Sequence, residues 1–207
     1  MLDVHILVMD YTPKVWVEQC RASLEVAVAQ AGFPVFLHFL PGIYGHLGQA
    51  RRAGYSRGTA EYVTHVDDDD YVLPGAFVSL LPHMQARATA ITTGETIELE
   101  DGSTRAMPDR QHHLAVFRRD YIDTLTLDAF KHFPDQYALS ECQPVHIPET
   151  NYVHRIRAGS GSRRARSADV VTANAERKAL RPDLTEIEHM TAAQIAVLND
   201  RHLRGAQ

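Results

Sequence analysis

Residues Glu61-Tyr62-Val63-Thr64-His65-Val66-Asp67-Asp68-Asp69-Asp70-Tyr71-Val72-Leu73-Pro74-Gly75 constrain the fold more than any other stretch. Val63 and Val66 stand among β-branched and aromatic residues, which predicts a strand. The strand runs into four consecutive carboxylates and then a Pro-Gly turn. Short acidic runs are commonly solvated loops. Here a strand before and a turn after place the run at the edge of a sheet. Four adjacent Asp side chains repel one another, which raises their pKa values unless a cation lies among them. Extended backbone would put Asp67 and Asp69 on one face and Asp68 and Asp70 on the other. One such pair is a natural half-site for a hard divalent ion that also carries phosphate oxygens. A helix-loop-helix calcium loop does not fit. Its fifth position would be Tyr71 and its twelfth Val78, where oxygen ligands belong.

Upstream, Val4–Met9 is a short apolar strand ending at Asp10-Tyr11-Thr12-Pro13. Thr12 is placed to cap a helix and Pro13 to occupy its first turn. Trp16, Val17, Cys20, Leu24, Ala27 and Val28 recur at helical spacing, and Gly32 ends the run. Pro34–Leu40 is a second strand, closed by Pro41-Gly42, and Gly45–Gly58 holds a second helix with Arg51 and Arg52. The order β-α-β-α-β predicts an α/β fold whose parallel sheet is covered by helices on both faces. Such sheets bind ligands beyond the carboxyl ends of their strands, where Asp10–Thr12 and the Asp run both fall. Further on, a helix is expected over Leu73–Arg87, strands over Ala90–Gly94, Thr96–Leu99 and His113–Phe117, and a turn at Asp101-Gly102. Asp120–Phe133 reads as helical or mixed, and Val145–Pro148 and Asn151–Arg157 as the last strands. Helices are expected over Val170–Leu180 and Thr191–Leu203, the latter with an apolar stripe suited to docking on the domain or on a second subunit.

The chain of 207 residues suits one medium domain with a tail. A net charge of -5 argues against a broad, sequence-blind grip on nucleic acid. Cys20 and Cys142 lack metal-ligand spacing and read as reduced thiols, and no secretory leader is apparent, so a cytoplasmic location is expected. No apolar run reaches the ~20 residues that span a bilayer.

These residues together resemble the inverting family 2 glycosyltransferases of the GT-A fold. Ala50-Arg51-Arg52-Ala53-Gly54, followed without a gap by Ala60 to Tyr71, is similar to the family's A-R-N-x-G, seven residues, then a strand ending in D-x-D-D. Tyr11-Thr12 resembles the family's Y-N, and Phe133-Pro134-Asp135-Gln136-Tyr137-Ala138-Leu139 its E-D-x-x-L. Residues Ile147 to Ser160 resemble its terminal strand and Y-x-x-R-x-H-x-x-S. The resemblance implies a GT-A, Rossmann-like, mostly parallel sheet over residues 1–167 and a C-terminal helical extension over 168–207. It implies transfer of a sugar from a nucleoside diphosphate donor to an acceptor hydroxyl, with Mn2+ or Mg2+ at Asp67 and Asp69. Asp135 would be the general base. Asp10, Tyr11, Thr12, Arg51, Asp67, Asp68, Arg155, Arg157 and Ser160 would line the donor. The acceptor stays open among a protein, a glycan, a small molecule and a modified nucleic-acid base.

Three departures shape what carries over. Where the family has D-D-G-S after the second strand, this chain has Leu40-Pro41-Gly42, so the donor base is not implied. Arg52 replaces the Asn of A-R-N, and Pro134 the Glu of E-D. Arg157 replaces the late His, which leaves the metal shell to His154, to carboxylate, diphosphate and water alone, or to charge from Arg157. His112, His113 and His146 read as surface or core residues rather than ligands. Two other classes are an Asp-dependent phosphohydrolase, disfavoured by Tyr71 and by the third-strand position, and a non-catalytic sugar-nucleotide or metal-binding module.

Overall fold

A computed structural model describes residues 1–41, 47–111, 113–125, 135, 138–139 and 141–156. The expected helices after residue 169, and with them the docking stripe, lie outside the described residues, as do Arg157 and Ser160. No helix among the described residues is long and apolar enough to cross a membrane.

Strand β1 (Leu2–Val8) is buried along nearly its whole length, as a central strand covered on both faces must be. It pairs in parallel with β2 (Val35–Pro41) on one side and β3 (Tyr62–Asp67) on the other. Helix α1 (Lys14–Gln30) turns Cys20, Leu24 and Ala27 into the core. Its start differs from expectation: no side chain caps it, and the Thr12 hydroxyl donates to Asp68 instead. Helix α2 (Leu47–Tyr55) runs from β2 back to β3. These elements form the β-α-β-α-β half read from the sequence.

The second half folds onto the β3 edge. Beyond the two-residue strand β4 (Tyr71–Val72), the helix expected over Leu73–Arg87 is a turn, a 3-10 segment (Val78–Leu80) and the short α3 (Leu81–Gln85). Pro82 and the Pro74-Gly75 turn cut it down, since Gly75 adopts φ +85°. The two strands expected at 90–99 are one, β5 (Ala90–Glu98), which hairpins through Asp101-Gly102 to β6 (Thr104–Met107). The strand expected at 113–117 is β7 (Val116–Arg118), followed by the single turn α4 (Arg119–Ile122). The last two expected strands merge into β8 (Val145–Arg155). The sheet order is β2-β1-β3-β7-β5-β8-β4, with β6 on β5. β5 and β8 run parallel, while β7 and β4 attach antiparallel. The β5–β8 register shifts at Gly94, so that Glu95 faces Tyr152 and Glu98 faces Arg155. Such irregularities re-aim side chains next to sites.

Two contacts set the spacing of α2 against the sheet. Arg119 donates to the carbonyls of Tyr55 and Ala60, each at 2.7 Å, to that of Arg57 at 3.0 Å and to Asp3 Oδ2 at 2.7 Å. One guanidinium thus satisfies carbonyls at the end of α2 and just before β3, groups a helix terminus otherwise leaves open. Asp3 also accepts from the Ala60 N–H and contacts His38 at 2.8 Å. Nearer the middle, the buried His5 ring lies against Gly54, Tyr55 and His65. Burial, then His65, hold His5 well below the usual imidazole pKa, so it sits in the core as a neutral ring.

A Cβ at Gly54 would lie 2.1 Å from His5 Cδ2. Tyr55 and His65 wall the ring on its other sides, so it has little room to swing away. Gly54→Ala is therefore expected to destabilise the protein by about 1–3 kcal/mol in chemical denaturation. In a His5→Ala background the same change should cost less than half as much. Equal costs in both backgrounds would mean the steric account is wrong.

Candidate active site

The carboxyl ends of the parallel neighbours β1 and β3 lie at one edge of the sheet, and groups of β8 reach the turn that follows β3. β3 stops at Asp67, and a turn follows in which the Asp70 N–H donates to the Asp67 carbonyl at 3.2 Å. The four carboxylates therefore do not alternate on an extended backbone. The carboxylates of Asp67, Asp68 and Asp70 each meet a different part of the molecule.

Asp67 meets Arg51. One Arg51 nitrogen lies 2.9 and 3.0 Å from the two Asp67 oxygens, and the other lies 3.1 Å from Asp135 Oδ1. Arg51 and Asp135 are buried and Asp67 is half-buried. Burial alone would discharge Arg51, but Asp67 and Asp135 outweigh it and raise its pKa. Burial would likewise protonate Asp67, but Arg51 outweighs it and pulls the carboxyl down. The guanidinium fork thereby joins the end of β3 to a residue distant in the chain.

Asp68 turns the other way. It accepts from the Met9 N–H at 2.7 Å and the Thr12 hydroxyl at 3.1 Å, tying β3 to the loop after β1. Burial pushes its carboxyl up to about 7 against these bonds. Asp10 is exposed at this rim and Tyr11 is half-buried. Asp69 is half-buried, and its carbonyl accepts from Arg155 at 2.6 Å. Arg155 also donates to Glu98 at 2.8 Å and Gln19 at 2.9 Å, and its guanidinium lies over Trp16 and Tyr71. Arg155 thus holds the Asp69 turn in place.

Asp70 is buried against β8. It accepts from the Tyr152 hydroxyl at 2.7 Å and the Arg155 N–H at 2.8 Å, and it pairs with His154 Nδ1 at 3.1 Å. Burial works against a charge on His154, yet Asp70 raises its pKa to about 9. His113 stacks between Tyr152 and His154, with centroids at 4.8 and 4.3 Å. Its Nδ1 contacts Glu95, which Arg110 also pairs at 2.9 Å. His113, expected to be a surface or core residue, is thus buried against the cleft, with Nε2 3.9 Å from Asp67.

Of the expected site residues, Thr12, Arg51, Asp67, Asp68, Asp69, Asp135 and Arg155 are joined by these contacts, and Asp10 and Tyr11 stand at the rim. Glu95, Glu98, Gln19 and His113 were not foreseen. The two Glu on a strand of otherwise buried type were the signal for themselves, since a buried carboxylate demands a partner. Groups of the kind that bind a divalent ion stand at two places. Asp69 offers a half-buried carboxylate at the turn. Asp70, His113 and His154 offer ligand atoms within 4.8 Å of one another.

The sequence profile described as Glycosyl transferase family 2 matches residues 24–143, more than half of the chain. S. aureus TarS residues 1–349, in complex with UDP-GlcNAc, superposes with a TM-score of 0.63 at 14% identity, covering 98% of this chain and 72% of that one. The same TarS fragment in complex with UDP gives 0.57 at 13% identity, with the same coverage. Likenesses at these identities establish a shared fold. No curated protein sequence matches significantly.

The His154–Asp70 pair predicts a pH dependence in metal-free protein. The folded pKa is raised, so the stabilisation is complete below the ordinary value of 6.5 and is lost as pH rises through about 9. Denaturation midpoints in EDTA should fall across that window, by at most about 3 kcal/mol. His154→Gln should remove the fall.

Proposed function

The chain belongs to glycosyl transferase family 2, and from that membership we propose that it moves a sugar from a nucleoside diphosphate donor to an acceptor hydroxyl, with inversion at the anomeric carbon. Family membership sets aside the phosphohydrolase and binding-module readings. One observation carries the proposal: Arg51 links the strand-end Asp67 to Asp135, so a base candidate is joined to the strand that carries the acidic turn. Residues 1–167 would form the catalytic domain and 168–207 an extension to it.

In this reading Asp135 takes the proton of the acceptor hydroxyl, whose oxygen then bonds to the anomeric carbon. The bond from that carbon to the diphosphate breaks, and the diphosphate leaves with the electron pair. Arg51 supplies the positive partner of Asp135 and, with Asp67, sets its place across the cleft. Asp67 and Asp69 would hold Mn2+ or Mg2+, which when bound neutralises charge on the departing diphosphate. Asp10, Tyr11 and Thr12 form the rim nearest a nucleoside, with Asp68 bracing Thr12 from behind. Arg155 acts through the Asp69 turn it holds, and Arg157 and Ser160 complete the donor set. TarS was crystallised with UDP-GlcNAc, which makes that sugar nucleotide the first donor to assay.

Two measurements test the reading. A donor present at 100 times its Kd should stabilise the native state by ~2.7 kcal/mol, about 5–10 °C in Tm for a chain of this size. A panel of nucleotide sugars that leaves Tm unmoved, with and without Mn2+, would count against it. Asp135→Asn should keep the donor shift but lower the rate of donor hydrolysis and transfer by about 10²–10⁴-fold. A variant turning over at the wild-type rate would remove Asp135 from the reaction.

A further inference from the structure

Three imidazoles stand side by side across the sheet. The parallel register sets His38 of β2 and His65 of β3 beside His5 of β1, so the three side chains share one face. The end of α2 rests on the middle one. Gly54 presents bare backbone to the His5 ring, and Tyr55 meets it edge to face with centroids 4.9 Å apart. The outer two imidazoles have polar partners. His38 contacts Asp3 at 2.8 Å, and His65 Nδ1 contacts the Tyr55 hydroxyl at 3.3 Å. His5 is fully buried, and among the described residues neither of its ring nitrogens has a hydrogen-bond partner.

A neutral ring tolerates this seat better than a charged one. An imidazolium carries two N–H donors, and here both would be buried without an acceptor. The surrounding groups do not relieve it. His65 on β3, Arg51 on α2 and His38 on β2 each oppose a positive charge on His5, and Asp67 alone among its electrostatic neighbours favours one. That carboxylate is already committed to Arg51. Asp3, on the same face of β1, is committed to His38, Arg119 and the Ala60 N–H. Burial keeps the Tyr55 phenol in its neutral form. A proton on His5 therefore needs water, and the nearest cover is α2. This helix has nine residues, while β1 is paired on both sides along its length. Short covering elements open before central strands do. Arg51, one turn before Tyr55, would leave Asp67 and Asp135 with it.

We propose that His5 is an acid-sensitive latch: α2 stays seated on the sheet, with Arg51 between Asp67 and Asp135, while the His5 ring is neutral, and acid releases it. Released, the ring takes a proton near the ordinary imidazole value of 6.5; seated, it is held well below that value, first by burial and then by His65. Seating is therefore complete above about pH 6.5 and weakens about tenfold per pH unit below it. The latch belongs to the fold and does not rest on the glycosyltransferase reading.

The test is amide hydrogen exchange of the full-length protein at pH 7.5 and pH 5.0, read by mass spectrometry on peptides from α2 and from β1 and corrected for the intrinsic effect of pH on exchange. His5→Phe keeps an aromatic ring with no proton to take up. Between the two pH values the opening constant of α2 should rise about 30-fold more in the wild type than in His5→Phe. His65 is uncovered by the same motion but is present in both proteins, so the ratio isolates His5. Amides of β1 should not share the change. Far-UV circular dichroism at pH 7.5 checks the fold, and His5→Gln decides the matter if the larger ring does not fit. An opening constant with the same pH dependence in wild type and variant would overturn the proposal. So would loss of protection in β1 by the same factor as in α2, which would mean unfolding of the whole sheet rather than release of one helix.

Discussion

Four adjacent carboxylates at the end of one strand, two of them buried and two half-buried, need separate compensation, and the fold follows from how this is done. Asp67 takes a guanidinium, Asp68 a backbone amide and a hydroxyl, and Asp70 a phenol, an imidazole and another amide. The partners come from α2, from the loop after β1 and from β8. A buried charge left alone costs several kcal/mol. The Asp run therefore acts as an assembly point to which three separate parts of the chain are drawn. The merging of the last two strands into β8 belongs to the same requirement, because Tyr152, His154 and Arg155 all serve this turn.

Within that arrangement Arg51 has a double attachment, to Asp67 and to Asp135. Two carboxylates that would repel each other are held together by one planar cation. The same cation is a natural partner for the phosphate oxygens of a ligand. A diphosphate entering the cleft would compete with both carboxylates for one guanidinium.

The first half of the fold was legible because its signals are local. Apolar runs of strand length, a helical period from Trp16 to Val28 and punctuating Gly and Pro residues each act within a few positions. Motif spacing singled out Arg51, Asp67, Asp69 and Asp135, and the structure joins Arg51 to Asp67 and Asp135. Other features depend on what lies across the sheet. Thr12 could have capped α1, but Asp68 offered a buried acceptor, and that bond won. The Asp residues could have alternated, but the strand ends where the turn after Asp67 begins. His113 lies beside this cluster because Glu95 stands behind it and Tyr152 against it, and neither neighbour is near it in sequence. Helical content over Leu73–Arg87 was overestimated because the apolar period outweighed Pro82 in the reading but not in the backbone.

Arg119 sits away from all of this chemistry, yet it bolts together the two segments that carry it. Its guanidinium grips the carbonyls of Tyr55 and Arg57, at and just past the end of the helix bearing Arg51, and that of Ala60, just before the strand ending at Asp67. Helix and strand are thus pinned at their shared base like the arms of a pair of tongs. The gap between their tips, where opposite charges meet, is a dimension gauged from the handle end.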